Sequence, residues 1–294
     1  MIDVYRLRVL STVATYGTVT AAAGALHCTP SAVSQHLAKL EREAGEAVVE
    51  RDGRRLRLTE AGRILVEHAT RVLAAVEETE AALAAHRGTV SGRLVLAAFP
   101  TACRGLLPHA LRRLTTDHPA LRAGLLESDR DSMVDGLRRG AIDVAVLDEW
   151  PEVPVTLAPE LSTVALGEDV ADLCVPLGHP LADGPVAPSA DERWIASVPG
   201  SVCHEWLTRI VPGVRPDYLV AEFETQLALV AAGLGVTFIP RLARGSVPAG
   251  VVVRAVSPPP ARRVHVAWRG AAERRPAIMA AVGALRDAWK HRAS

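Results

Sequence analysis

The sequence predicts a mixed α/β protein with an all-helical start: a helix–turn–helix unit with a hairpin, one long helix, then alternating strands and helices. Three observations carry this. Apolar residues recur at three- and four-residue spacing over residues 4–40, almost no helix breaker interrupts residues 59–87, and from residue 93 short apolar runs alternate with amphipathic stretches. At 294 residues the chain has room for two or three domains.

The first helix places Val4, Leu7, Leu10, Val13 and Ala14 on one face and breaks at Gly17. Thr18 can cap a second helix whose Ala21-Ala22-Ala23-Gly24-Ala25-Leu26 run lets another helix approach closely. Pro30 disfavours helical geometry at Thr29 but suits a first helical position, so Thr29 caps a third helix, Pro30–Glu43. That helix buries Ala32, Val33, Leu37 and Leu40, leaving Ser31, Ser34, Gln35, His36 and Lys39 largely outside the stripe. A major groove about 12 Å wide admits such a helix, and these side chains can bond base edges and phosphates. A solvated face in some other bundle is the plainer alternative.

The stretch Val48–Leu58 reads as a hairpin turning at Asp52-Gly53, with Leu56 and Leu58 alternating with Arg55 and Arg57. Arg51, Arg54, Arg55 and Arg57 make it compactly basic. Over residues 1–59 there are 8 basic and 6 acidic residues, a difference of 2, so the charge is local. The whole chain has 33 of each sign, which excludes a polycation or an acidic tail.

These sixty residues resemble the winged helix–turn–helix of LysR-type transcriptional regulators. The resemblance rests on Gly17-Thr18-Val19-Thr20-Ala21-Ala22-Ala23, Leu26-His27, Ser31-Ala32-Val33-Ser34-Gln35-His36-Leu37, Leu40-Glu41, Arg51, Arg54 or Arg55, and Leu58-Thr59-Glu60-Ala61-Gly62. The chain departs from the family pattern at Leu10, Pro30-Ser31, Ala44-Gly45 and Val48-Val49; only the change at residues 30–31 falls on a DNA-facing helix start. The resemblance and the polarity of the helix together nominate Thr18, Thr20, Thr29, Pro30, Ser31, Ser34, Gln35, Lys39, Arg51, Arg54 and Arg55 for DNA contact.

From Thr59 to about Arg87 a helix of about 40 Å is expected, ending at Gly88. Leu65, Val72, Val76, Thr79 and Leu83 form a short heptad-like seam. It could serve an intramolecular core or a dimer. So long a helix on so small a unit favours the dimer, and the resemblance implies the same: two chains on a palindromic site.

Strands are expected at Arg93–Ala98, Leu121–Leu126 and Ile142–Leu147, with helices between them, the βαβαβ order of a parallel sheet. Weaker strands follow at Leu161–Leu166, Asp172–Pro176, Trp194–Ser197 and Val236–Ile239. Helices follow at His204–Ile210, Glu224–Ala232 and Pro276–Lys290. The segments Gly178-His179-Pro180-Leu181, Arg139–Ala145 and Val230–Val236 with Ile239-Pro240 resemble the family's effector domain, which is similar to type 2 periplasmic binding proteins. That resemblance implies two α/β subdomains with crossovers near Ser162–Leu166 and His265–Trp268. The expected organisation is residues 1–58 for DNA binding, 59–88 for the linker helix and 89–294 for effector binding. Subdomain I covers about 93–162 and 268–294, and subdomain II about 163–267.

Ligands of open α/β sheets sit beyond the carboxyl ends of strands. That rule selects Phe99, Pro100 and Thr101, where a helix start suits an anion, together with Asp148, Ser197, Thr225, Thr237 and Phe238. Taken singly, each Ser or Thr is as well explained as a helix cap. No nucleophile elbow, HExxH, Walker loop or GxGxxG motif occurs, so no enzyme and no cofactor are expected. His204-Glu205 beside Cys203 reads as a helix start rather than a metal site. Cys28, Cys103, Cys174 and Cys203 lack CxxC spacing and leave a thiol switch as a lesser alternative. A non-specific architectural DNA protein is disfavoured by the zero net charge. The start lacks a signal-peptide pattern and no long apolar run occurs, so a cytoplasmic homodimer or homotetramer with a small-molecule effector and no membrane partner is expected.

Overall fold

A computed structural model describes residues 1–26, 28–52, 55–86, 90–154, 157–183 and 187–292. The chain forms two compact units, one built chiefly on the first 89 residues and the other on the α/β remainder. The first comprises α1 (Val4–Tyr16), α2 (Val19–Ala25), α3 (Pro30–Ala44), β1 (Val49–Asp52), β2 (Arg55–Leu58) and α4 (Glu60–His86).

Each early helix starts on a side-chain cap. The Asp3 carboxylate accepts from the Tyr5 and Arg6 amides, Thr18 Oγ1 from Ala21, and Thr29 Oγ1 from Ala32, the last two at 3.2 Å. Leu7, Leu10, Val13, Ala22, Val33, Leu37 and Leu40 form one core with Val48 and Ala69, so the first turns of α4 close the unit. The β1–β2 hairpin pairs Val49 with Leu58 and Asp52 with Arg55, and the Leu56 amide donates to the Gly17 carbonyl at 3.1 Å. Gly62 is obligatory in this packing. A Cβ there would lie 2.0 Å from the Val48 carbonyl oxygen.

The second unit contains β3 (Gly92–Ala98), α5 (Pro100–Gly105), α6 (Leu107–Asp117), β4 (Leu121–Glu127), α7 (Arg130–Arg139), β5 (Val144–Glu149), β6 (Leu161–Pro176) and α8 (Pro180–Asp183). It continues with β7 (Ile195–Ala196), α9 (Val202–Ile210), β8 (Tyr218–Leu219), α10 (Phe223–Ala231), β9 (Thr237–Pro240), β10 (Val251–Arg254), β11 (Ala261–Arg269) and α11 (Pro276–Arg292). The main sheet runs β10-β6-β11-β5-β3-β4, with β9 also on β6. Strands β3, β4 and β5 are parallel, as their βαβαβ order requires.

Two of the expected strands, Leu161–Leu166 and Asp172–Pro176, are one strand of 16 residues. The sequence pattern lapses at Gly167 because the pairing with β11 shifts register there. A Cβ at Gly167 would also meet Trp289 Nε1 at 2.5 Å. The paired β6 and β11 span two separate cores. One is built on Leu94, Val146, Val266 and Leu285, the other on Trp150, Trp194, Trp206 and Phe238.

Candidate functional site

On the N-terminal unit, Thr20, Thr29, Pro30, Ser31, Ser34, Gln35 and Lys39 are exposed together, and Thr18 is half-buried. Several of these hydroxyls already have local work. Thr18 and Thr29 cap helices, Thr29 Oγ1 lies 2.9 Å from Ser31 Oγ, and Ser34 Oγ donates to the Pro30 carbonyl at 3.1 Å. Each retains hydrogen-bonding capacity toward a phosphate or base. Gln35 and Lys39 reach into solvent from the middle of α3. Behind them His36 packs edge-on against Tyr5, and Val33, Leu37 and Leu40 anchor the helix. Arg51 and Arg55 stand on β1 and β2; Arg54 lies outside the described residues, as does the expected helix end at Gly88. The seam expected on α4 divides. Leu65 packs on the core, whereas Val72, Thr79 and Leu83 are exposed.

In the α/β unit the nominated residues gather around two centres. The first is Arg262, which is 2% exposed. Its Nε and Nη2 donate to Asp169 Oδ2 at 3.0 and 2.9 Å, Nη1 to Asp148 Oδ2 at 2.9 Å, and Nη2 to Thr101 Oγ1 at 2.6 Å. Its guanidinium lies 4.6 Å from the Phe99 ring centroid and 5.9 Å from that of Trp150. Burial works against the Arg262 charge, but Asp148 and Asp169 outweigh it and keep the group protonated. Arg262 and Asp169 are register partners on β11 and β6, so this buried pair sits on the strands that join the two cores. Thr101 and Asp148 are therefore engaged by an internal cation.

The second centre is Gln226, 1% exposed. Its Nε2 donates to Ser197 Oγ at 3.3 Å and to the Val220 carbonyl at 3.1 Å, and its Oε1 accepts from Thr237 Oγ1 at 2.7 Å. Ser197, Thr237 and Phe238 line a cavity of about 20 Å³ with Gln226, Trp150, Trp206 and Cys203. Trp150 and Trp206 stack with centroids 4.0 Å apart, and Phe238 meets Trp206 edge-on at 5.4 Å. Trp150 thus belongs to both centres. Thr225 and Pro100 are exposed and lie outside both. An Arg104–Glu224 ion pair ties α5 to α10 beside them.

The structure adds Arg262, Asp169, Trp150, Trp206 and Gln226 to the residues read from sequence. One signal was available: strand alternation puts Arg262 on the inward face with Val264 and Val266. Burial pushes the Cys203 thiol up to about 11, Cys103 to about 11 and Cys174 to about 12. His204 Nδ1 lies 2.8 Å from the Ser197 carbonyl and Glu205 pairs with Arg209, so both serve α9. Among the described residues no group of His, Cys, Asp and Glu is arranged to hold a metal ion, and no helix is long and apolar enough to cross a membrane.

A capped helix–turn–helix with a hairpin wing, carried with a two-cored α/β unit around a polar-aromatic cavity, defines a ligand-responsive DNA-binding regulator. The chain belongs to the LysR family of transcriptional regulators. Residues 4–63 match the family model "bacterial regulatory helix-turn-helix protein, lysR family" and residues 87–290 match "LysR substrate binding domain". It is 30% identical over 288 residues, 91% of this chain and 88% of the relative, to a "Probable hydrogen peroxide-inducible genes activator" of Mycobacterium avium. It is 30% identical over 246 residues, 80% of this chain and 77% of the relative, to a "Probable RuBisCO transcriptional regulator" of Emiliania huxleyi. The fold is shared with a full-length OxyR variant from Pseudomonas aeruginosa (TM-score 0.77, 24% identity, 99% of this chain and 98% of that one). It is shared too with full-length CbnR complexed with its target DNA (TM-score 0.62, 22% identity, 98% and 100%).

Proposed function

We propose that this regulator binds a palindromic promoter site in the cytoplasm as a homodimer or homotetramer, with α3 in the major groove. Residues 1–58 would serve DNA, 59–88 dimerisation and 89–294 the effector. In this reading Ser31, Ser34, Gln35 and Lys39 meet bases or phosphates, Thr18, Thr20, Thr29 and Pro30 set the helix start against the backbone, and Arg51, Arg54 and Arg55 grip backbone or minor groove. The observation that carries it is the polar, exposed face of α3 on a helix whose other face is fully anchored. The exposed Val72 and Leu83 on α4 support pairing through that helix. The effector sits between Phe99, Thr101 and Asp148 on one side and Ser197, Thr237 and Phe238 on the other, with Pro100 and Thr225 at the rim. It changes the angle between the lobes and hence the spacing of the DNA-binding pairs. The test is the affinity ratio between a palindromic fragment from upstream of its own reading frame and random DNA, at one stated salt concentration. A ratio of about 10³ or more is expected; a ratio near one removes the reading.

One observation favours a second reading, a thiol switch: Cys203 lines the effector cavity. Against it, burial keeps the thiol protonated at neutral pH, whereas reactive cysteines are held as thiolates. Operator affinity that responds to peroxide in the wild type but not in Cys203→Ser would favour the switch; an identical response in both would remove it.

A further inference from the structure

The α/β unit has a second hollow that shares no lining residue with the cavity beside Gln226: a groove of about 490 Å³ between α6 and α11. That size falls among small-molecule sites, which run roughly from 300 to 1,000 Å³. Helical spacing builds it. His109, Arg112, Arg113 and Asp117 recur at three- and four-residue steps on α6, and Asp287 and His291 do so on α11. Between them Ala284, which is buried, and Ala288, which is half-buried, give the groove an apolar floor. A larger side chain at either position would fill the space.

The charges around that floor do not balance. Both carboxylates are already taken by one cation: Arg113 Nε donates to Asp117 at 3.3 Å, and its Nη1 lies 2.7 Å from Asp287 Oδ2. Lys290 also approaches Asp287, at 3.9 Å. Arg292 is engaged as well, with its guanidinium 3.8 Å from the Trp289 ring centroid and Nη1 3.6 Å from Asp169 Oδ1. Arg112 is left over. It lines the groove, is exposed, and its side chain has no partner among the described residues. His109 is likewise unpartnered, and His291 uses only Nδ1, which lies 2.7 Å from the Asp287 carbonyl. A cationic guest would find no free carboxylate here. An oxyanion would find a whole guanidinium, whose planar fork matches carboxylate and phosphate, beside two imidazoles that donate when protonated.

We propose that this groove is a second ligand site for a small amphipathic anion, with a carboxylate or phosphate head held by Arg112 and an apolar body laid over Ala284 and Ala288. Arg292 links the groove inward. Asp169, which it approaches, is the carboxylate that holds Arg262 on the paired strands β6 and β11. The groove is therefore separate from the effector cavity yet touches the same buried ion network.

The test is calorimetric titration of the full-length protein, without DNA, using hexanoate, hexylphosphonate, hexylammonium, hexan-1-ol and acetate. Hexanoate or hexylphosphonate is expected to bind saturably and at least about tenfold tighter than hexylammonium, hexanol or acetate, a difference of about 1.4 kcal/mol. The tighter of the two identifies the head group. Arg112→Gln should weaken that anion by a similar factor, and Ala288→Leu should abolish its binding by filling the floor. Arg104→Gln, which removes a neighbouring cation already paired with Glu224, should leave it unchanged. Hexylammonium or acetate binding as tightly as hexanoate overturns the proposal, as does an affinity that Arg112→Gln leaves intact or the lack of saturable binding by either anion. If Ala288→Leu fails to fold, the exposed Arg112→Gln change and the wild-type series decide.

Discussion

Arg262 shows how a single residue shapes the α/β unit. Its charge is buried, and so are Asp148 and Asp169, the carboxylates that neutralise it. Removing one partner strands the others. Arg262→Met should cost about 3–5 kcal/mol of stability, measured by urea unfolding, and adding Asp148→Asn and Asp169→Asn should recover part of it. No recovery in the triple variant would show that the ion pair is not the source of the loss. Asp172, another buried carboxylate, offers a pH test. Burial raises the Asp172 carboxyl, but Arg241 and Arg244, the former donating at 2.9 Å, prevail and hold its pKa below the usual range. A folded pKa below the unfolded one means stability that is present above the ordinary carboxylate range and lost as pH falls through the folded value. Asp172→Asn should therefore flatten the acid limb of a stability–pH profile, and an unchanged limb would contradict the assignment. For the thiols, iodoacetamide at neutral pH should spare Cys103, Cys174 and Cys203 in the native protein. Fast labelling of Cys203 would instead support a switch. At this scale the sequence was only partly informative. Thr101 and Asp148 were found by the rule that ligands sit beyond strand ends, yet their partner Arg262 lies more than a hundred residues away and only the sheet brings them together.

Elements were more legible, because local chemistry specifies them. Pro30 behind a Thr29 cap starts α3 where expected, and apolar spacing gives its buried face. Thr29→Ala should cost about 1 kcal/mol of stability in the N-terminal unit and weaken DNA binding, read by thermal melting and mobility shift. Gly62→Ala should destabilise that unit further, since its Cβ would strike the Val48 carbonyl. A Gly62→Ala protein as stable as wild type would contradict the packing of α4. The long helix α4 was legible in extent but not in how it is used. Spacing alone puts Leu65 and Val72 on one seam, while the fold buries part of it and exposes the rest. Val72→Glu with Leu83→Glu should dissociate the oligomer, checked by sedimentation. A sedimentation profile like that of wild type would rule α4 out as the pairing helix. The strands β8, β10 and the full length of β11 escaped the sequence reading. They are short, or carry arginines, and are specified by neighbours on the sheet.

At the scale of the whole molecule, the proposed modulation of DNA binding by an effector is a coupling free energy. Whatever factor the effector changes in operator affinity, operator DNA must change in effector affinity, typically 5–150-fold, or about 1–3 kcal/mol. Family membership was readable from the N-terminal motifs, which are local and dense. The cavity was legible only through Ser197, Thr237 and Phe238, because its walls come from five segments that meet only in the folded chain. Coupling presupposes that α3 reads sequence at all, and Gln35 tests this most directly. Binding of the wild type and Gln35→Ala to the palindromic fragment and to random DNA, compared at one salt concentration, separates base readout from backbone grip. Gln35→Ala should lose about 1–3 kcal/mol on the palindrome and almost nothing on random DNA. An equal loss on both, or none on either, would contradict the account.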